Sequence, residues 1–265
     1  MSVKIGIMGV GWLGLPLALH LKNLHYTVKT TTTQPQKALL LEKEGLMPTL
    51  FNLNDFMPQK RYDFLDDLDY LLITLPPKST SLESLSALCQ YWQTHQCPTP
   101  TLLYTSSTSV YAENNAICTE ETPTNPNEAV SQIEQLLINH HPETILLRLG
   151  GLAGYDRLIG KYFSGRTLSN SEAPVNLIHR DDAIAIISLL IKNKQKKEIF
   201  NAVAPQHPTR REVYQNDLQK LQLPPTTPDY QKEKYKEISP EKLIKTFNYH
   251  FIYPNPLLFS LYTQI

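Results

Sequence analysis

A glycine triplet near the N-terminus constrains this chain more than any other feature. Gly9-Val10-Gly11-Trp12-Leu13-Gly14 follows a short apolar run, Val3–Met8, and opens a second, Leu13–Leu24. A Gly-x-Gly-x-x-Gly is a weak signal in isolation, and its force comes from lying between a strand and a helix. The first glycine permits a tight turn, the second lets the backbone approach a bulky anion, and the third lets helix and strand pack closely. Free N–H groups at the helix start face the anion, so a diphosphate is the ligand this turn fits. Pro16 suits the first helical turn.

The rest of the N-terminal half repeats the same alternation. Val3–Met8, Thr27–Thr32, Thr49–Leu53, Tyr70–Leu75, Thr101–Ser106 and Thr144–Leu149 read as strands. Leu13–Leu24, Gln36–Glu44, Ser81–Gln93 and Asn127–Asn139 read as the helices between them. Strand-helix-strand order with right-handed crossovers predicts an α/β fold, a doubly wound parallel sheet of the Rossmann type. A dinucleotide-binding domain is expected over residues 1–150 and a smaller C-terminal substrate lobe over 151–265, with segments such as 175–203 packing back on the first. In that lobe a strand at Val175–Ile178, a helix from Asp182 to Lys192, a strand at Ile199–Val203 and helices at Arg210–Leu221 and Pro240–Phe247 are expected.

Bulk properties narrow the partners. The 265 residues carry 25 Lys+Arg against 25 Asp+Glu, a net charge of zero, so nothing draws the chain to nucleic acid and a small molecule is the expected partner. Cys89, Cys97 and Cys118 lack metal-ligand spacing, and no metal site is expected. The opening apolar run is broken by Lys4, and no run approaches the span of a bilayer. A cytoplasmic monomer or homodimer without membrane contact is the expectation.

At the second strand's end, where a carboxylate would select NAD by holding the ribose hydroxyls, the chain has Lys29, then Thr30–Thr33, Gln34 and Lys37. Hydroxyl donors and Lys37 would suit a 2′-phosphate, which favours NADP over NAD; the threonines equally suit a strand end by β-propensity. The expected cofactor site comprises Gly9, Val10, Gly11, Trp12, Leu13, Gly14, Thr31, Thr32, Thr33, Leu53, Leu75 and Pro76.

Together with the glycine loop, Tyr104-Thr105-Ser106-Ser107-Thr108-Ser109-Val110-Tyr111 and Arg148-Leu149-Gly150-Gly151-Leu152-Ala153-Gly154 resemble the extended short-chain dehydrogenase/reductase family, which includes nucleotide-sugar epimerases and dehydratases. Asn176–Ala183, Phe200–Val203 and Thr209–Glu212 are similar to later stretches of that family, and the form of the glycine loop is closest to its atypical branch. The resemblance implies that Ser107 orients a substrate oxygen. It also implies a Tyr acid/base with a Lys four residues on, and here the chain departs: Pro126–Glu134 occupies that region, and no Lys lies between Lys78 and Lys161. Tyr111 matches a packing tyrosine of the family. His179, or a water held by Ser107, is the other candidate proton donor, while Asp181 or Asp182 is expected to cap the helix that follows. Val175 stands where nucleotide-sugar binders often carry an Arg.

Two functions remain open on these residues. One is an NAD(P)-dependent epimerase or oxidoreductase acting on a sugar or nucleotide sugar with a degenerate Tyr/Lys pair. The other is a non-catalytic NAD(P) sensor. Gly11–Leu17 also resembles the start of nucleotide-sugar 6-dehydrogenases, but those enzymes are longer and the later segments fit the first family better.

Overall fold

Residues 2–77 and 80–259 are described by the structure, a computed structural model. The first half runs β1 (Lys4–Met8), α1 (Gly14–Asn23), β2 (Thr27–Thr32), α2 (Pro35–Lys43), β3 (Met47–Leu50), β4 (Tyr70–Ile73), α3 (Leu82–Thr94) and β5 (Thr101–Ser107). It continues through β6 (Ile117–Cys118), α4 (Ala129–His140), β7 (Ile145–Leu149), β8 (Gly151–Ala153) and β9 (Thr167–Leu168). The last third holds β10 (Leu177–His179), α5 (Arg180–Lys192), β11 (Ile199–Ala202), α6 (Arg210–Lys220), β12 (Thr227–Pro228), β13 (Glu237–Ile238) and α7 (Glu241–Phe247).

Seven strands form one sheet in the order β11-β7-β5-β4-β1-β2-β3. The pairings β1–β2, β1–β4, β2–β3 and β4–β5 are all parallel. Every residue of β4 and β7 is buried, as strands covered on both faces require. The order reverses between β1 and β4, and in open α/β sheets the carboxyl end of such a switch point is where a crevice opens.

Element boundaries shift modestly from those the sequence suggests. The third strand is Met47–Leu50, and Leu53–Asp55 forms a 3-10 turn. Pro48 is compatible with that strand because β3 is the sheet edge: Phe51 N donates to Thr32 O at 3.0 Å, so by alternation position 48 faces outward, where no N–H is needed. The helix expected from Asp182 starts at Arg180 instead. Asp181 and Asp182 therefore sit inside its first turn, and neither is the cap. Asp182 is turned away to accept from Tyr249 Oη at 2.8 Å, Ile252 N at 2.8 Å and Tyr253 N at 3.0 Å.

Two compact units divide the chain. The first comprises Met1–Ser106, Pro126–Leu147 and Ile187–Ile199, the second Ser107–Asn125, Arg148–Ile186 and Phe200–Ile265. In the first, Phe51, Phe56, Tyr62, Tyr91 and Trp92 form a continuous aromatic cluster beside the sheet. In the second, Leu158, Leu168, Leu177, Val213, Tyr253 and Phe259 make the centre of a separate core. There α6 opens on a capping box: Thr209 Oγ1 accepts from Glu212 N at 3.2 Å while Glu212 Oε2 accepts from Thr209 N at 2.8 Å. Thr209→Ala removes one half of that exchange, and we expect urea denaturation to show a loss of about 1 kcal/mol.

Candidate functional site

The glycine loop lies at the carboxyl end of β1, in the first unit. Gly9 has φ +102, and a Cβ on it would press to 3.0 Å of Thr74 and Leu75. Gly14 is packed so closely that a Cβ would overlap the carbonyl oxygen of Gly9. Gly11 N donates to Gly9 O at 2.8 Å, closing the turn. Gly11 itself is exposed, and a Cβ there would meet nothing within 4 Å. The loop is thus tight on its protein side and open on its outer side. Leu13, at the start of α1, receives no side-chain cap, and the first turn holds no acidic residue. An uncapped, unopposed helix start next to an open glycine suits an anion.

Val10 and Leu13 send their side chains into the core, at 3% and 7% exposure, so only their backbones remain for a ligand; Trp12 is half-buried. Thr31 and Thr32 are buried and Thr33 is exposed. Thr32 Oγ1 accepts from Gln34 N at 3.2 Å, and Lys37 Nζ reaches from α2 to donate to Val10 O at 2.5 Å. The ammonium of Lys37 therefore stands at the glycine loop. Leu53 is buried, Leu75 half-buried and Pro76 exposed. Beyond them, Asn54, Phe56, Thr80, Ser81, Glu83, Ser84 and Ala87 line an open cavity of about 640 Å³. Its walls follow the ends of β3 and β4, the two strands that bracket β1 and β2 in the sheet. Thr74 was not legible as a site residue in the sequence. Its Oγ1 donates to Met8 O at 3.0 Å and Gly9 O at 2.7 Å, fixing the turn from β4.

The remaining candidates lie in the second unit. Ser107 is half-buried, and its Oγ accepts from Ser109 N at 3.1 Å, capping a 3-10 turn over Thr108–Val110. Tyr111 is 2% exposed. Its hydroxyl accepts from Arg148 Nη1 at 2.7 Å and donates to Asn201 Oδ1 at 2.8 Å. Burial pushes this phenol above its ordinary value, against the lowering effect of Arg148. Arg148 also stacks on the Tyr111 ring at 5.0 Å, and Glu120 Oε1 accepts from Asn201 N at 2.7 Å. Tyr111 thus belongs to a closed buried network, in keeping with a packing role.

His179 has no exposed surface. Its ring lies among Tyr155, Tyr253 and Phe259, at centroid distances of 5.0, 3.8 and 5.2 Å. Its Nδ1 accepts from Asp181 N at 3.2 Å, and its Nε2 is buried without a hydrogen-bond partner among the described residues. Burial lowers this imidazole from 6.5 to about 4. Among the described residues no group of three or more His, Cys, Asp or Glu could hold a metal ion. No described helix is long and apolar enough to cross a membrane.

The fold is shared with solved structures of a short-chain dehydrogenase/reductase superfamily protein from Agrobacterium tumefaciens and of an NAD-dependent epimerase/dehydratase from Methylobacillus flagellatus, at 17% and 21% identity. No protein-family model matches the chain. Protein YeeZ of Escherichia coli (strain K12) is 30% identical over 275 aligned positions, covering 97% of this chain and 99% of that protein. The chain belongs to the family of Protein YeeZ. Among solved structures, a functionally unknown conserved protein from Silicibacter pomeroyi superposes with a TM-score of 0.78 at 19% identity, covering 97% of this chain and 96% of that one. UDP-glucuronic acid 4-epimerase from Bacillus cereus, solved in complex with NAD, superposes with a TM-score of 0.77 at 15% identity, covering 98% of this chain and 95% of the epimerase.

The three loop glycines should respond differently to substitution. Gly14→Ala drives a methyl into the Gly9 carbonyl, and we expect thermal or urea unfolding to show a loss of about 3 kcal/mol or more. Gly11→Ala meets open space and should stay within about 1 kcal/mol of the parent in the same measurement.

Proposed function

We propose that the chain binds a dinucleotide of the NAD(P) type, its diphosphate seated on the backbone amides of the Gly9–Gly14 loop and the start of α1. The observation that carries this reading is the open outer side of Gly11 beside an uncapped helix start at the carboxyl end of β1. The adenosine end would lie toward the ends of β2 and β3, where Thr31, Thr32, Thr33 and Leu53 stand. The cavity lined by Asn54, Phe56 and Glu83 belongs to the same unit. Leu75 and Pro76, at the end of β4, would border the cofactor on the other side of the loop.

NADP is favoured over NAD. Lys37 already places its ammonium at the loop, on the Val10 carbonyl, and the strand end offers hydroxyls in place of a carboxylate. A 2′-phosphate would draw that ammonium, whereas a carboxylate selecting a free ribose would have to compete with it.

When bound, such a cofactor supplies hydride exchange at its nicotinamide ring. The chain's part is to bind and orient. Ser107 Oγ accepts from Ser109 N, an arrangement that leaves its own proton able to reach a substrate oxygen, and a sugar-like alcohol or ketone of the kind nucleotide-sugar epimerases handle fits that role. A small cytoplasmic substrate of this class, turned over without the Tyr/Lys pair, is the enzyme reading. A second reading, a sensor of the cofactor's redox state, is favoured by the engagement of both Tyr111 and His179 in internal packing.

Calorimetric titration with NADPH, NADP, NADH and NAD tests these statements. We expect NADPH and NADP to bind more tightly than their counterparts. Lys37→Ala should erase roughly tenfold of that preference, the value of about 1.4 kcal/mol for one charge-assisted contact. Gly11→Ala, folded as the parent, should weaken all four ligands by at least about tenfold; undiminished affinity in that variant would overturn the dinucleotide reading. Equal affinity for oxidised and reduced forms would remove the sensor.

A further inference from the structure

The C-terminal part of the second unit folds over the His179 imidazole. Tyr253 and Phe259, 4% and 2% exposed, close two sides of the box around His179, and Tyr155 closes a third. Gly154 forms part of the remaining wall, with φ +115, and a Cβ there would overlap the imidazole. The covering segment is held by few polar contacts. Lys220 Nζ donates to Leu257 O at 2.9 Å and Phe259 O at 2.7 Å, and Asn216 Nδ2 donates to Leu257 O at 2.9 Å. Asp182 accepts the amides of Ile252 and Tyr253 at its near end.

We propose that His179 operates an acid-released latch on the segment 253–259: a proton taken up at Nδ1 undoes the packing of Tyr253 and Phe259.

The geometry of the two ring nitrogens carries the argument. Neutral His179 uses Nδ1 as an acceptor for Asp181 N, so its proton resides on Nε2, which has no acceptor among the described residues. Protonation turns Nδ1 into a donor that confronts another donor at 3.2 Å. The nearest anion is the Asp181 carboxylate, whose Oδ2 lies 3.7 Å from Nδ1 and already receives the Tyr155 hydroxyl. That carboxylate offsets part of the added charge, but Nδ1 still confronts the Asp181 N–H, and the charged ring would lie enclosed against Tyr253 at 3.8 Å.

The other charges around the box do not relieve this. The Arg180 guanidinium sits over Tyr155 at 4.2 Å and opposes a second positive charge, and Lys220 is committed to the segment's carbonyls. The phenol of Tyr155 is pushed up to about 12 and that of Tyr253 is raised, so both remain neutral. Asp182 also titrates, its carboxyl raised by burial, but it acts at Ile252 and Tyr253 rather than at Phe259.

The sign follows from linkage. The docked state holds His179 near 4, and release returns it toward 6.5, so the released form binds more protons between those values. Docking is therefore complete above about pH 6.5 and weakens as pH falls toward 4, by roughly 100-fold over the window.

Amide hydrogen exchange by NMR, corrected for intrinsic rates, reads this directly on the full chain, with the His179 Cε1–H titration recorded alongside. We expect protection at Phe259 N, bonded to Pro256 O, to fall about 100-fold between pH 7 and pH 4, in step with His179 and with the sheet amides still protected. His179→Leu and His179→Gln both keep Asp182, and either one, if folded, should hold Phe259 protection flat. The same loss in a folded variant would overturn the proposal by assigning the effect to a group other than His179. A wild-type His179 that titrates at or above 6.5 would overturn it as well.

Discussion

The close approach of Gly14 to the carbonyl of Gly9 is the contact on which the first unit turns. It brings the start of α1 against the end of β1 with no room for a side chain between them. Thr74 completes the joint, because its hydroxyl bonds the carbonyls of both Met8 and Gly9 and so ties β4 to the same turn. Three elements thereby meet at one point at the place where the sheet order reverses. The helix start must then project past the carboxyl ends of the strands, and its amides have no partner in the first turn's side chains.

Polar side chains elsewhere serve the fold more than they serve a ligand. Tyr111, Arg148, Asn201 and Glu120 satisfy one another in the second unit, which is the condition for burying so many polar groups without a large penalty. His179 meets the same demand only by half, through Nδ1, and accepts an unpaired Nε2 as the cost of its aromatic surroundings. What the molecule offers a ligand is mostly backbone: the open side of Gly11, the start of α1, and strand ends carrying hydroxyls.

Much of this was legible in the chain. The glycine spacing located the turn because the turn's geometry excludes a Cβ at Gly9 and Gly14, and that exclusion acts locally. The strands of the buried sheet were legible as apolar runs for the same reason, being covered on both faces. Thr209 and Glu212 announce the start of α6 through a three-residue spacing. What stayed hidden depends on distant partners. Thr74 has no local signature, since its role exists only once β4 lies beside β1. Asp182 looked like a helix cap by position, yet residues 249–253, some seventy positions later, claim its carboxylate. The burial of His179 depends on Tyr253 and Phe259 in the same way.

The helix after β5 is tied to the end of that strand by a buried polar contact. It begins at Ala129 and carries neither Tyr nor Lys. Its buried polar residues are Ser131 and Glu134, three apart and so on one face of the helix. Glu134 accepts from Ser106 Oγ at 2.5 Å, with 4% of its surface exposed. A buried carboxylate in a short bond to a strand residue is a strong local constraint, and Ser106 is the residue that precedes Ser107. The helix is therefore fixed to the end of β5 through Glu134. The Ser106–Glu134 bond holds the carboxyl end of β5 against α4.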